Sequence, residues 1–364
     1  GGPAPRREPM PIHQFATSLT YGDAISDEML EIRQALQRLG HESEIFVKFY
    51  DPRLAHLVRD YREYRRQSSA RNTVIFHFSI GSPVSKMFFR IPDRKMMIYH
   101  NITPYEFFRD NHRILTRECY KGRLELRLFT GKVDLALGDS EYNRRELEEA
   151  GYAPTGVLPI VLDFSKFDIP GDPLTAEIYG KGQTTILYVG RVIPAKKFED
   201  IIKAFYWYKT RFNRDSRLIL AGDTRGMERY TAGLFELVAR LRLSDVHFTG
   251  HIEFDQLVAL YRLADVYLSL SAHEGFGVPL LEAFYLGLPV AALASGAVEE
   301  TMNGGGALVR AKDPLRTAGL LDRIVSDADF KGRLVASGRR ALEKYSPENI
   351  GRILAEHLRR VGAA

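Results

Sequence analysis

The sequence predicts an α/β protein built from two Rossmann-like domains whose parallel sheets face an interdomain cleft. Three observations predict it. Short apolar runs alternate with amphipathic helical stretches along almost the whole chain, the pattern of parallel strands covered by helices on both faces. The alternation comes in two series, separated by the proline- and aspartate-rich stretch LPIVLDFSKFDIPGDP (158–173). The 364 residues are also more than one typical domain needs.

In the first series PIHQFA (11–16), HESEIFV (41–47), NTVIFHF (72–78), KMMIYH (95–100) and VDLALGDS (133–140) read as strands. Between the first two, DEMLEIRQALQRLG (27–40) sets Met29, Leu30, Ile32, Leu36 and Leu39 near helical spacing and ends on Gly40. SEYNRRELEEAG (140–151) repeats that grammar, with Ser140 as N-cap and Gly151 as the stop. In the second series the strands are TTILYVG (184–190), SRLILAG (216–222), VHFTG (246–250), VYLSLS (266–271) and LPVAAL (288–293). The domains expected from this are residues 10–165 and 166–345, after a disordered leader at residues 1–9.

Composition narrows the class. Hydrophobic residues make up 45% and charged residues 27%, as in a soluble globular protein. A net charge of +5 favours anionic ligands but falls well short of a dedicated nucleic-acid binder, so no nucleic acid is expected as partner. The single Cys119 rules out an internal disulfide framework and suits a reducing compartment. No apolar run approaches the roughly 20 residues that span a bilayer, and the leader lacks a signal-peptide core. The expected location is cytoplasmic.

In open parallel sheets, ligands bind beyond the carboxyl ends of the strands. Two loops there carry chemistry. In YVGRVIPAKKFEDII (188–202), Arg191 and Lys196 follow a strand and precede a helix, which makes an anion site from fixed cations and free N–H groups. The pair alone reads more readily as a basic surface loop. In SAHEGFGVPLLEAFYLGLPVAA (271–292), Gly275 and Gly277 allow close approach to the backbone, and Pro279 suits a first helical turn. Glu282 in that helix can accept two hydrogen bonds from a vicinal diol such as a ribose, and Glu274 can reach a second hydroxylated group. Taken singly, they read as a helix-dipole partner and a solvated loop residue.

EGFGVPLLEA resembles the E-x7-E motif of retaining glycosyltransferases of the GT-B fold, family 4, the "group 1" transferases. GRVIPAKKFEDII is similar to their G-R-x4-K-G segment, and ADVYLSLSAHEGFGVPLLEAFYLGLPVAA matches beyond the glutamates. GDAI (22–25), YHNITP (99–104) and GDSEYNRREL (138–147) extend the likeness to the first domain more weakly. The resemblance implies a nucleoside diphosphate sugar donor, with Arg191 and Lys196 on the diphosphate and Glu282 on the ribose. Glu274 and the Gly275, Phe276, Gly277 and Val278 backbone would take the sugar, and His251 and Ile252 the base. Gly22 and Asp23 would face the phosphate, and His100 the reacting sugar. His100, Glu274, Arg191 and Lys196 are thus the expected catalytic group, with Asn101 and Ser140 on the acceptor side. His77, inside a strand, reads as a core residue or a support for its neighbours. The resemblance also implies net retention and a C-terminal helix (346–364) that crosses back to the first domain. One departure is Lys197, where the family usually has glycine; it adds a side chain beside the phosphate site.

Several motifs are missing. There is no phosphate-binding Walker loop, no His/Cys metal spacing and no G-x-S-x-G elbow. The one Asp-x-Asp, Asp327-Ala-Asp329, lies in a charge-rich helical stretch, and Gly304-Gly305-Gly306 reads as a turn. No metal and no cofactor are expected, because Arg191 and Lys196 can stabilise a departing diphosphate. The acceptor would be a saccharide or a lipid-linked hydroxyl. The basic stretches 53–71 and 109–127 fit contact with anionic lipid head groups at the inner face of a membrane; they fit better a pair of solvated helices whose acids partly balance the arginines. Two other functions share these features, a nucleotide-sugar epimerase and a non-catalytic sugar or nucleic-acid binding module. The expected reaction is transfer of a hexose from a GDP-mannose or UDP-glucose type donor, in polysaccharide or glycoconjugate synthesis.

Overall fold

The computed structural model describes residues 10–180 and 182–363; the expected leader at 1–9 lies outside them. The chain divides into two compact units. The first contains residues up to Ile102, Glu118–Asp163 and the segment from Pro347; the second contains Thr103–Arg117 and Phe164–Ser346.

The first unit holds a seven-stranded sheet: β1 (Ile12–Leu19), β2 (Ile45–Tyr50), β3 (Val58–Asp60), β4 (Thr73–Phe78), β5 (Arg94–Tyr99), β6 (Leu135–Gly138) and β7 (Thr155–Val157). The order is β3-β2-β1-β4-β5-β6-β7 and every pairing is parallel. β4 is buried along its whole length, as expected of a central strand covered on both faces. The helix Pro347–Arg360 lays Ile350, Leu354 and Leu358 into the same core as Ile12, Ile75, Ile98 and Leu135. His357 holds it to the sheet, its Nε2 lying 2.8 Å from the Val157 carbonyl.

The second unit holds β8 (Thr184–Val189), β9 (Ser216–Ala221), β10 (Val246–Gly250), β11 (Val266–Ser269), β12 (Val290–Leu293) and β13 (Ala307–Val309). They form a parallel sheet in the order β10-β9-β8-β11-β12-β13. In both sheets the order reverses once, between β1 and β4 and between β8 and β11. Loops leaving the two strands at such a reversal diverge to opposite sides and open a crevice. The loops after β8 and β11 are the two the sequence singled out.

Two expectations are corrected. The segment Thr103–Arg117 interrupts the expected 10–165 domain and packs in the second unit. Arg229 Nη1 donates to the Asp110 carbonyl at 3.0 Å, and the Phe107 ring faces His273. The stretch 53–71 is not a helix either. It forms two 3-10 turns, Pro52–Leu57 and Tyr61–Arg66, around β3. Asp51 and Asp60 each accept from the backbone N–H two residues on, a local turn that competes with helix. The stretch 109–127 is largely helical, within Arg113–Leu128.

Candidate active site

Two loops meet in the second unit. After β8 the chain runs through exposed Arg191 to the short turn Pro194–Lys196. Lys197 then takes a left-handed conformation (φ 54°, ψ 47°) to enter the helix Phe198–Arg211. That region disfavours any residue with a Cβ, which is a reason for glycine to be usual there. After β11 the second loop bonds to the first, the Ala272 N–H donating to the Ala195 carbonyl at 2.9 Å. Lys196 Nζ then lies 2.6 Å from Glu274 Oε1, with the two side chains 21% and 12% exposed. Charge-assisted bonds of this length, shielded from water, are the strong ones.

A third loop, after β12, fixes the Glu274 backbone. Ala297 N–H donates to its carbonyl at 2.9 Å, and a Cβ on Gly296 (φ +55°) would sit 2.2 Å from the same oxygen. Phe276 turns inward, its ring edge-on to Tyr345 and its carbonyl accepting from Thr301 Oγ1 at 2.7 Å. Phe276 and Val278 are both buried, so their side chains brace the loop and only their backbone can serve a ligand. Gly277 (φ +100°) turns the chain into the helix Val278–Tyr285, with Pro279 in its first turn. Glu282 follows one turn later and accepts from the Tyr261 hydroxyl at 2.8 Å. Tyr261 is buried; burial first, and then the Glu282 charge, push its phenol well above the usual range. It is therefore a permanent donor that orients the carboxylate. His251 is exposed and Ile252 half-buried, in the turn that leaves β10 at the edge of the sheet.

In the first unit, Gly22 (φ +75°) forms the turn after β1 with open space around it. Asp23 caps the helix Ala24–Arg38, accepting from the Ser26 N–H and hydroxyl at 3.0 Å each. Ser140 caps Glu141–Glu149 by accepting from the Asn143 N–H at 3.1 Å. Asn101 (φ 69°) donates to Asn143 Oδ1 at 2.8 Å and to Glu146 Oε2 at 3.0 Å. Asn101 and Ser140 are both buried.

His100 does not stand free at its strand end. Its side chain is 1% exposed, with Nδ1 3.2 Å from Asp139 Oδ2, and its Nε2 lies 3.0 Å from His77 Nδ1. The direction of this chain of bonds is readable. Gln14 Nε2 donates to the Met29 carbonyl at 2.9 Å, which turns Gln14 Oε1 to His77 Nε2, also at 2.9 Å. His77 must therefore donate through Nε2 and accept through Nδ1, so His100 Nε2 carries a proton. Asp139 accepts in turn from Asn143 Nδ2. Burial acts to lower His100, but Glu28 and Asp139 outweigh it and the group is raised; burial and then the His100 charge hold His77 well below its usual range.

The residue that the sequence reading missed here is Glu28. It is fully buried on the helix Ala24–Arg38, with Oε2 3.6 Å from His100 Nε2 and 4.0 Å from His77 Nδ1. Burial pushes its carboxyl up to about 8. The three groups are close enough to hold a cation. However, the ring centroids are 5.3 Å apart with planes 3° from parallel, against an N···N distance of 3.0 Å. The lone pairs thus lie nearly along the N···N line, as in N–H···N bonding, and do not converge on a point beside it as metal ligands do.

Known proteins share both the sequence and the architecture. Residues 176–341 match the family model described as "Glycosyl transferases group 1". An uncharacterized glycosyltransferase of Methanocaldococcus jannaschii is 34% identical over 171 residues, which cover 46% of this chain and 42% of that protein. A D-inositol 3-phosphate glycosyltransferase of Salinispora tropica is 32% identical over 192 residues, covering 48% and 40%. The chain thus spans well under half the length of these relatives. The Anabaena protein HepE, solved in complex with UDP-glucose, superposes with a TM-score of 0.74 at 17% identity, over 96% of this chain and 99% of HepE. At that identity the likeness shows a shared fold, the two-domain Rossmann-like GT-B fold.

Proposed function

We propose that the chain, whose residues 176–341 match the model of the group 1 glycosyltransferases, is a glycosyltransferase that moves a hexose from a nucleoside diphosphate sugar to a hydroxyl acceptor. The observation that carries this reading is the meeting of Lys196 and Glu274 at the reversal between β8 and β11, with Glu282 one helical turn beyond. Arg191 and Lys196 bind the diphosphate and offset the charge that grows on it as the glycosidic bond breaks. Glu282, oriented by Tyr261, takes the ribose hydroxyls. Glu274 and the Gly275–Gly277 amides hold the sugar, and the backbone at His251 and Ile252 meets the base. The likeness to HepE, whose complex contains UDP-glucose, supports a UDP-glucose type donor beside GDP-mannose.

Retention follows if the acceptor oxygen attacks C1 from the face that the diphosphate leaves. The C1–O bond to phosphate breaks, the new C1–O bond forms, and the acceptor proton passes to the departing phosphate oxygen. Asn101 and Ser140, which follow β5 and β6 in the first unit, are assigned to the acceptor, whereas Gly22 and Asp23, after β1, are assigned to the phosphate. His100 acts there from behind, through the groups it touches, since its imidazole is enclosed.

A thermal-shift panel of UDP, GDP and ADP tests the donor, followed by transfer assays. Glu282→Ala is expected to weaken nucleotide binding, and Arg191→Ala mainly to slow transfer. No shift from any nucleotide, together with salt-steep binding to single-stranded nucleic acid, would overturn the reading.

A further inference from the structure

The basic stretch 53–71 divides once its partners are known. Arg53 is held by Asp51 (2.8 Å), Arg62 by Asp60 (2.8 Å), and Arg59 by Glu44 and Glu63 (2.9 and 3.0 Å). Arg65 has no acidic partner among the described residues. It projects from the turn Tyr61–Arg66 toward the helix Pro83–Phe88, which brings up Lys86, and Arg90 follows that helix. Arg90 has no acidic partner among the described residues, and Lys86 forms no ion pair there but acts electrostatically on Glu125.

Arg62, Arg65, Lys86 and Arg90 together line one hollow of about 660 Å³, and among the described residues no acidic side chain lines it. Its volume is that of a small-molecule site. Met87, Ile91 and Pro92 give it apolar walls. Glu63 and Asp93, next to lining residues in sequence, are both engaged: Glu63 pairs with Arg59 at 3.0 Å, and Asp93 is buried and accepts from the Tyr64 hydroxyl at 2.5 Å and from Ser68. Like charges gathered from two elements repel one another until an anion joins them. Guanidinium groups also match phosphate oxygens geometrically.

We propose that this hollow binds a phosphate monoester or diphosphate that carries an apolar stem. The cations hold the phosphate oxygens, while Met87, Ile91 and Pro92 receive the first carbons of the stem. A lipid head group and a soluble phosphorylated metabolite share this chemistry. The inference rests on the first unit alone, so nucleotide binding by the second unit is an independent readout.

The full chain would be titrated calorimetrically with inorganic pyrophosphate, and floated with phosphatidylcholine vesicles with and without phosphatidic acid. Arg65→Ala/Lys86→Ala/Arg90→Ala removes three lining charges. Arg66→Ala/Arg71→Ala removes exposed charges from the same stretch outside the hollow. The lining variant is expected to lose on the order of 100-fold in affinity, and the control no more than about 3-fold. Loss in flotation alone identifies a lipid source, and loss in pyrophosphate binding alone a soluble one. Equal losses in both variants, or no binding by the parent chain in either assay, would overturn the site. UDP-induced thermal shifts that persist in both variants show that the second unit is intact.

Discussion

Lys196 Nζ and Glu274 Oε1 lie 2.6 Å apart, so two residues assigned to different ends of a donor are each other's partners. The pairing follows from topology: β8 and β11 are neighbours, and the loops that leave them share the Ala272–Ala195 bond. A diphosphate arriving at Lys196 has to draw on an ammonium already neutralised by a carboxylate.

Glu274→Gln keeps the shape of the side chain and removes that competition. UDP or GDP affinity is expected to rise about 3- to 10-fold, the effect of removing one nearby negative charge in a partly shielded site. Transfer is expected to slow, because the sugar loses a charged acceptor and keeps only the weaker amide oxygen. Calorimetric nucleotide affinity, read beside steady-state turnover, checks both directions; weaker nucleotide binding would contradict the pairing argument.

Tyr261→Phe leaves the packed ring in place and deletes the hydroxyl that donates to Glu282. The carboxylate is then free to rotate. Nucleotide affinity is expected to fall by about 10-fold, near the low end of the worth of one hydrogen bond to a charged group. Thermal melting should change little, because the removed atom satisfied a carboxylate that keeps its own access to water. Affinity unchanged from the parent would show that Glu282 needs no orienting donor.

Lys197→Gly relieves a left-handed residue (φ 54°), a conformation that costs a residue with a Cβ roughly 1 kcal/mol. The lost Lys197–Glu199 contact, 3.3 Å and partly exposed, offsets little of this. Urea denaturation is therefore expected to show a gain of about 0.5–1 kcal/mol. A loss of stability would mean that the lysine side chain matters more than its backbone strain.

Most of the architecture was readable because the central strands are long apolar runs closed by glycines or polar turns. β3, β7 and β13 were not. Each has three residues, too few for any period to register. The stretch 53–71 was misread because its arginines, leucines and tyrosines fit a helix, while the two Asp-capped turns depend on single side chains. Glu28 was passed over for a different reason. It lies four residues before Ile32, on the buried face, and a carboxylate at a core position leaves no mark in a hydrophobic pattern. Tyr261 failed the opposite way: within FDQLVALYRL it looks like one more core residue, and only its hydroxyl's direction reveals its task.

Glu28 supplies a pH prediction. Its folded carboxyl sits at about 8 against an ordinary 4.5, so the folded chain holds a proton that the unfolded chain has released over that interval. The stabilisation is complete below about pH 4.5 and disappears as the pH rises towards 8. The groups facing it act as follows: His100 and Asp139 are also raised and add to this slope, whereas His77 is lowered and opposes it on the acid side. Asp23, at the start of the same helix, adds a further negative charge near His100. Glu28→Gln carries no titrating proton and keeps nearly the same volume. Urea midpoints measured from about pH 5 to about pH 8 should fall in the parent chain and fall less steeply in the variant. Parallel curves would show that Glu28 is ionised in the folded chain across this range, with its carboxylate held by the His77–His100 pair.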